Sequence, residues 1–168
     1  MSDKIYCLDA GVFINPWNYY YTQQICPSFW ELLLQLASEG CLISPHEIYQ
    51  EIQKQDDGLS KWLKSNKFPF EAIDENIQDN MHLVMEKFPL LIDSKSFRSM
   101  GDPWVIATAM SREATVVTTE RSAPKKIKIP DACHGLGIPC ITEFQFVHEI
   151  GIRFEAVLSK GRDQDFLF

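Results

Sequence analysis

At 168 residues the chain is long enough for one domain with a buried core, and its 45% hydrophobic and 23% charged content is ordinary for a globular protein. No apolar run approaches the roughly 18 residues of a membrane helix, and MSDKIYCLDAG carries an acid and runs straight into a strand, unlike a secretory leader. A net charge of −7 excludes a broadly basic, nucleic-acid-coating surface, and five cysteines without a CxxC pair suit a reducing cytoplasm better than a disulfide framework or a zinc site.

In chain order, KIYCL reads as a first strand that stops at Asp9, and the Gly11-Val12 step after it starts no obvious helix. PSFWELLLQLASEG reads as a helix, with Ser28 and Glu31 as a capping box, Phe29, Leu32, Leu33 and Leu36 at helical spacing, and Gly40 to close it. CLIS is a second short strand, and SPHEIYQEI a helix with Ser44 as N-cap, Pro45 at its first position and Glu47 completing a box. LSKWL looks like a short helix after the DDG break. From Glu71 to Phe88, the residues Ile73, Ile77, Met81, Val84, Met85 and Phe88 fall on one helical face before Pro89 stops it. Asp102-Pro103 opens a helix, WVIATAM, whose alanines permit close packing. TVVTT is a β-branched strand, IPDAC starts a short helix at Asp131, and GIPCI is a fourth strand. Thr142 and Gln145 cap a final helix that Gly151 ends, and the tail from Ile152 to Phe168 suggests a strand and an apolar end seeking a groove. Short apolar strands alternating with capped helices predict one α/β domain over residues 1–168, with helices on both faces of a parallel sheet.

In such a sheet, residues just after a strand and at the start of a returning helix meet at the carboxyl edge, where ligands bind. Asp9, Asp102, Glu120 and Asp131 all fall there. Converging carboxylates repel, and burying them unpaired costs several kcal/mol. A hard divalent cation relieves both problems, and oxygen-only ligands favour Mg²⁺ or Mn²⁺ over zinc. Asp102 and Asp131 would also serve as plain helix caps; the expected co-location is the signal. Glu51, flanked by Ile48 and Ile52, reaches the edge only if its helix leans on the tip of strand one.

The ordered set resembles the PIN-domain nucleases, in a divergent branch akin to VapC-type toxin ribonucleases. It consists of Asp9 in LDAGVFI, Glu51 in SPHEIYQEI, Asp102 in GDPWVIATA, and Thr118 with Glu120 in VVTTE, with FW near residue 30 and KIKIPDAC near 130. The match spans roughly residues 4–142. The resemblance implies a three-layer α/β/α sandwich of about four to five parallel strands. It implies also a Mg²⁺- or Mn²⁺-dependent endoribonuclease, frequent homodimerisation and an antitoxin that plugs the site. By the same resemblance, Asp9, Glu51, Asp102 and Glu120 inherit the metal-site role and Thr118 a supporting hydroxyl. Two departures stand out. Ala10-Gly11 replaces a small polar pair that would support the ligands, and the fourth acid is Glu120 instead of Asp, which leaves Asp131 as an alternative ligand.

The loop RSAPKKIKIP, with Arg121, Lys125, Lys126 and Lys128 and no acid, is either solvated or placed to track an RNA backbone. Trp17, Tyr19, Tyr20 and Tyr21 pack against helices or stack on bases. An aspartyl-phosphate phosphatase would want an acid at position 11, where Gly11 stands. The stronger rival is a PIN-fold module without catalysis that works by binding.

Overall fold

The computed structural model describes residues 4–92 and 100–155. The part of the expected tail strand beyond residue 155 lies outside them. Tyr6–Leu8 forms β1, and Ala10–Asn15 forms α1, extended by a π-helical turn over Pro16–Tyr20 in which Tyr21 N donates to Pro16 O at 2.9 Å. There follow α2 (Pro27–Ser38), β2 (Leu42–Ile43), α3 (His46–Gln55), α4 (Asp57–Ser65), α5 (Glu75–Lys87) and α6 (Asp102–Arg112). The chain continues through β3 (Thr115–Thr118), α7 (Ile129–Leu136), β4 (Cys140–Thr142) and α8 (Glu143–Glu149).

All strand pairs are parallel, in the order β2-β1-β3-β4, with Tyr6 beside Leu42 and Thr115, and Val116 beside Cys140. Successive strand residues point to opposite faces. The Tyr6 ring meets Phe146 of α8 edge-on at 5.0 Å, while the Cys7 thiol reaches Val105 O of α6 at 3.5 Å, so helices cover both faces. The expected α/β/α sandwich with a four-stranded parallel sheet therefore forms. β1 connects to β2 on one side and lies against β3 on the other, which makes the crevice between β1 and β3 the topological switch point.

Several helix starts differ from expectation. α1 was not anticipated; its N-cap is Asp9, whose Oδ1 accepts from Ala10 N at 2.7 Å. Six residues without charge or periodicity give little helical signal, and Val12 and Phe13, both buried, hold the turn through packing. α2 begins with Pro27 at its first turn and has no side-chain cap, so the Ser28–Glu31 box is absent. In α3 the N-cap is Pro45; the Ser44 hydroxyl instead donates to Leu8 O at 2.8 Å, tying β2's end to β1, and Glu47 Oε2 is buried without a hydrogen-bond partner among the described residues. A tertiary acceptor has outbid the local cap. The closures at Gly40 and Gly151, both with positive φ, and the Thr142–Gln145 box are as expected.

Packing on one flank fastens α1 to the rest. Trp17, in the turn after α1, meets Trp30 of α2 at 5.0 Å and Trp62 of α4 at 5.9 Å. Trp17 and Tyr21 thus belong to packing, Tyr21 being stacked on Phe154 at 4.7 Å, whereas Tyr19 is exposed.

Candidate active site

β1 and β3 end side by side, and this places Asp9 next to Thr118. The Thr118 hydroxyl donates to Asp9 Oδ2 at 2.9 Å and accepts from Glu120 N at 3.0 Å, so one hydroxyl orients both acid-bearing segments. Asp102, the first residue of α6, is 6% exposed, the same as Asp9. α3 packs against α1, just beyond the tip of β1, and Ile48 and Ile52 are fully buried on either side of Glu51. Asp9, Glu51, Asp102 and Glu120 accordingly line one cleft of about 190 Å³, together with Ala10, Gly11, Ile14, Asn15, Gln55 and Thr119. Four acids separated widely in sequence thus line one cleft.

Asp131 does not join them. Its Oδ2 accepts from Lys128 N at 2.9 Å, capping α7, and the residue is absent from the cleft wall. Its carboxylate is committed to the helix start, which corrects the expectation that it could replace Glu120.

The electrostatics are those of crowded acids. Burial pushes the Asp9 carboxyl up to about 7; the Thr118 hydrogen bond opposes this, and the charges of Glu51 and Glu120 add to it. Glu51 is also raised, chiefly by burial, with the Gly101 amide and Gln55 pulling the other way. Glu120 is held differently: Lys128 Nζ lies 2.6 Å from its Oε1, and Ile129 N donates to its Oε2 at 3.0 Å. Of the two readings of the basic loop, solvated or turned toward the acids, Lys128 takes the second. Lys125 and Lys126 are exposed, but Lys128 turns inward. Spacing alone carried no signal of this, since the loop's path between Glu120 and α7 decides it.

Close approach explains two glycines. A Cβ on Gly11 would lie 2.2 Å from the Thr119 hydroxyl oxygen, so the small residue after Ala10 makes room for a hydroxyl arriving from β3's end. A Cβ on Gly101 would lie 2.7 Å from Glu51 Oε2 and 2.7 Å from Ile48 Cδ1. Gly101→Ala should push Glu51 out of the cleft, and overpacking of this kind costs about 1–3 kcal/mol. The expected result is a modest loss of Tm and a larger loss of Mn²⁺-dependent stabilisation, both read by thermal melts with and without the ion.

The donor chemistry fits a hard cation, being all oxygen, with Asp9 and Glu51 shifted toward protonation by burial and by neighbouring negative charge. Among the described residues, however, no group of three or more His, Cys, Asp and Glu side chains is arranged to hold a metal as it stands.

Fold and site together define an α/β protein with an acid-lined cleft at the switch point of a parallel sheet. Residues 6–154 match the family described as "Domain of unknown function (DUF4411)", and the chain belongs to that family. No curated protein matches the chain. Among solved structures it is similar to the crystal structure of VapBC2 from Rickettsia felis bound to a DNA fragment from the promoter, at 14% identity and a TM-score of 0.48. That alignment covers 82% of this chain and 98% of the other, and so loose a likeness carries no functional weight.

Proposed function

We propose that the chain is a Mg²⁺- or Mn²⁺-dependent endoribonuclease that hydrolyses RNA phosphodiester bonds. The observation that carries the reading is the meeting of Asp9, Glu51, Asp102 and Glu120 in one small cleft at the carboxyl edge of the sheet. The sequence resemblance to PIN-domain nucleases, which rests on the same four acids and Thr118, agrees with it. At about 190 Å³ the cleft is smaller than the roughly 300–1,000 Å³ of sites that engulf a small molecule. It suits an ion and one phosphate reaching in.

Asp9, Asp102, Glu51 and Glu120 would hold the cation. When bound, it supplies Lewis acidity and lowers the pKa of an attacking water. The chain's own residues do the rest. Thr118 fixes the direction of the Asp9 carboxylate, and α3 delivers Glu51 to the same cleft. The exposed Arg121, Lys125 and Lys126 offset the repulsion between four acids and a phosphate backbone. By the same resemblance, the partners are RNA, an antitoxin protein that covers the cleft, and a second copy of the chain. Five free cysteines agree with a cytoplasmic setting, and no helix among the described residues is long and apolar enough to cross a membrane.

A second reading is favoured by one observation, the Lys128 ammonium already seated on Glu120. It makes the chain a binding module without catalysis. Incubating the purified protein with structured RNAs and Mn²⁺ or Mg²⁺, beside Asp102→Asn, separates the two. The nuclease reading expects ion-dependent cleavage, reduced at least about a hundredfold in the variant. Equal cleavage by both proteins, or none by the wild type at millimolar ion, sinks it.

A further inference from the structure

Both carboxylate oxygens of Glu120 are engaged by the first residue of α7 and the residue before it. Lys128 Nζ takes Oε1 at 2.6 Å and Ile129 N takes Oε2 at 3.0 Å. The ion pair is sheltered, with side-chain exposures of 26% for Lys128 and 18% for Glu120. The ammonium also stands within the field of two further cleft acids. Its pKa is raised first by Glu120, and Asp102 and Asp9 add to the effect. Its backbone is held as well: Asp131 Oδ2 accepts from Lys128 N, which fixes the start of α7. The capping acid that fails to reach the cleft thus anchors the residue whose charge does.

We propose that Lys128 is a resident cation of this cleft, an ammonium that neutralises Glu120 in the metal-free protein and competes with a divalent ion for it. This rests on the reading of the cleft as a cation site. It accounts for two observations at once: four acids line one cleft, and no three of them stand ready around a common ion. Entry of a divalent ion then requires Glu120 to exchange its ammonium for the metal, which makes Lys128 a determinant of ion affinity.

The role predicts effects of opposite sign. Removing the ammonium leaves the Glu120 carboxylate without its ion-pair partner, so the metal-free fold melts earlier. It also frees Glu120 and ends the competition, so Mn²⁺ binds more tightly, roughly tenfold for loss of one nearby sheltered charge. A merely structural lysine would give the first effect without the second.

The test is calorimetric titration of the full chain with MnCl₂, comparing wild type, Lys128→Met, Lys128→Arg and a Lys125→Ala/Lys126→Ala double variant. Tighter binding by Lys128→Met alone, with a lowered metal-free Tm and near wild-type affinity in Lys128→Arg, is the expected result. Unchanged or weaker binding by Lys128→Met, or equal tightening in the double variant, overturns the role of Lys128 while leaving the cation site standing. No Mn²⁺ binding by wild type or Lys128→Met at millimolar concentration takes down the cation site and the inference together.

Discussion

Asp9→Asn is expected to raise the Tm of the metal-free protein at pH 8 and at the same time to abolish its response to Mn²⁺. The two halves follow from one carboxylate. In the folded chain the Asp9 carboxyl is pushed up to about 7, chiefly by burial, against an ordinary value of 3.8. A group raised on folding lends its full stability below its unfolded pKa and loses it as pH rises through the folded value. Between about pH 4 and 7, therefore, the fold gives up stability as Asp9 ionises, and above pH 7 it carries a buried charge near Glu51 and Glu120. The shift corresponds to on the order of 4 kcal/mol, an upper bound that relaxation will reduce. Asparagine keeps an acceptor for the Thr118 hydroxyl or the Ala10 amide and removes the charge. Melts in EDTA should show the variant more stable at pH 8 and the difference shrinking toward zero near pH 4.5. Adding Mn²⁺ should raise the wild-type Tm and leave the variant nearly unmoved. A variant less stable than wild type at pH 8 would make Asp9 a structural cap of α1 and nothing more.

The second large effect is expected in the core. Trp30 is 1% exposed, its ring meets Trp17 at 5.0 Å, Phe29 at 5.4 Å and Trp62 at 5.3 Å, and its Nε1 donates to Tyr21 O at 2.6 Å. Trp30→Ala removes that volume and orphans the Tyr21 carbonyl, a change worth about 3–5 kcal/mol. For a domain of this size that is a fall in Tm on the order of 10 °C. Trp17 sits in the turn leading out of α1, so the loss loosens the segment that begins at Asp9. Trp30→Phe keeps most of the ring contact and should recover about half of the stability, measured by urea unfolding. If Trp30→Ala costs less than about 1 kcal/mol, α1 is held by something other than the tryptophan cluster.

Both predictions turn on how a strand end becomes a site. The β-branched run TVVT and the apolar YCL declare buried strands by composition, and parallel pairing follows from the helices between them. Asp9, Asp102 and Glu120 could be placed at one edge because a strand's end and a returning helix's start share that edge in any such sheet. Glu51 was harder to read, since its reach depends on the tilt of α3, which Ile48 and Ile52 set by burying themselves against the core.

What the sequence determined by itself was the alternation of elements, the edge to which the acids belong, and the closures at Gly40 and Gly151. These depend on residues a few positions apart, where backbone geometry leaves little choice. Only the tertiary structure decided who bonds to whom among groups distant in the chain. It sent Ser44 to Leu8 O instead of a cap, Asp131 to the start of α7 instead of the cleft, Thr119 into the space beside Gly11, and Lys128 onto Glu120. The reason is physical: a polar side chain takes the best partner the folded chain brings within about 3 Å, and sequence spacing does not rank partners that only folding puts in reach.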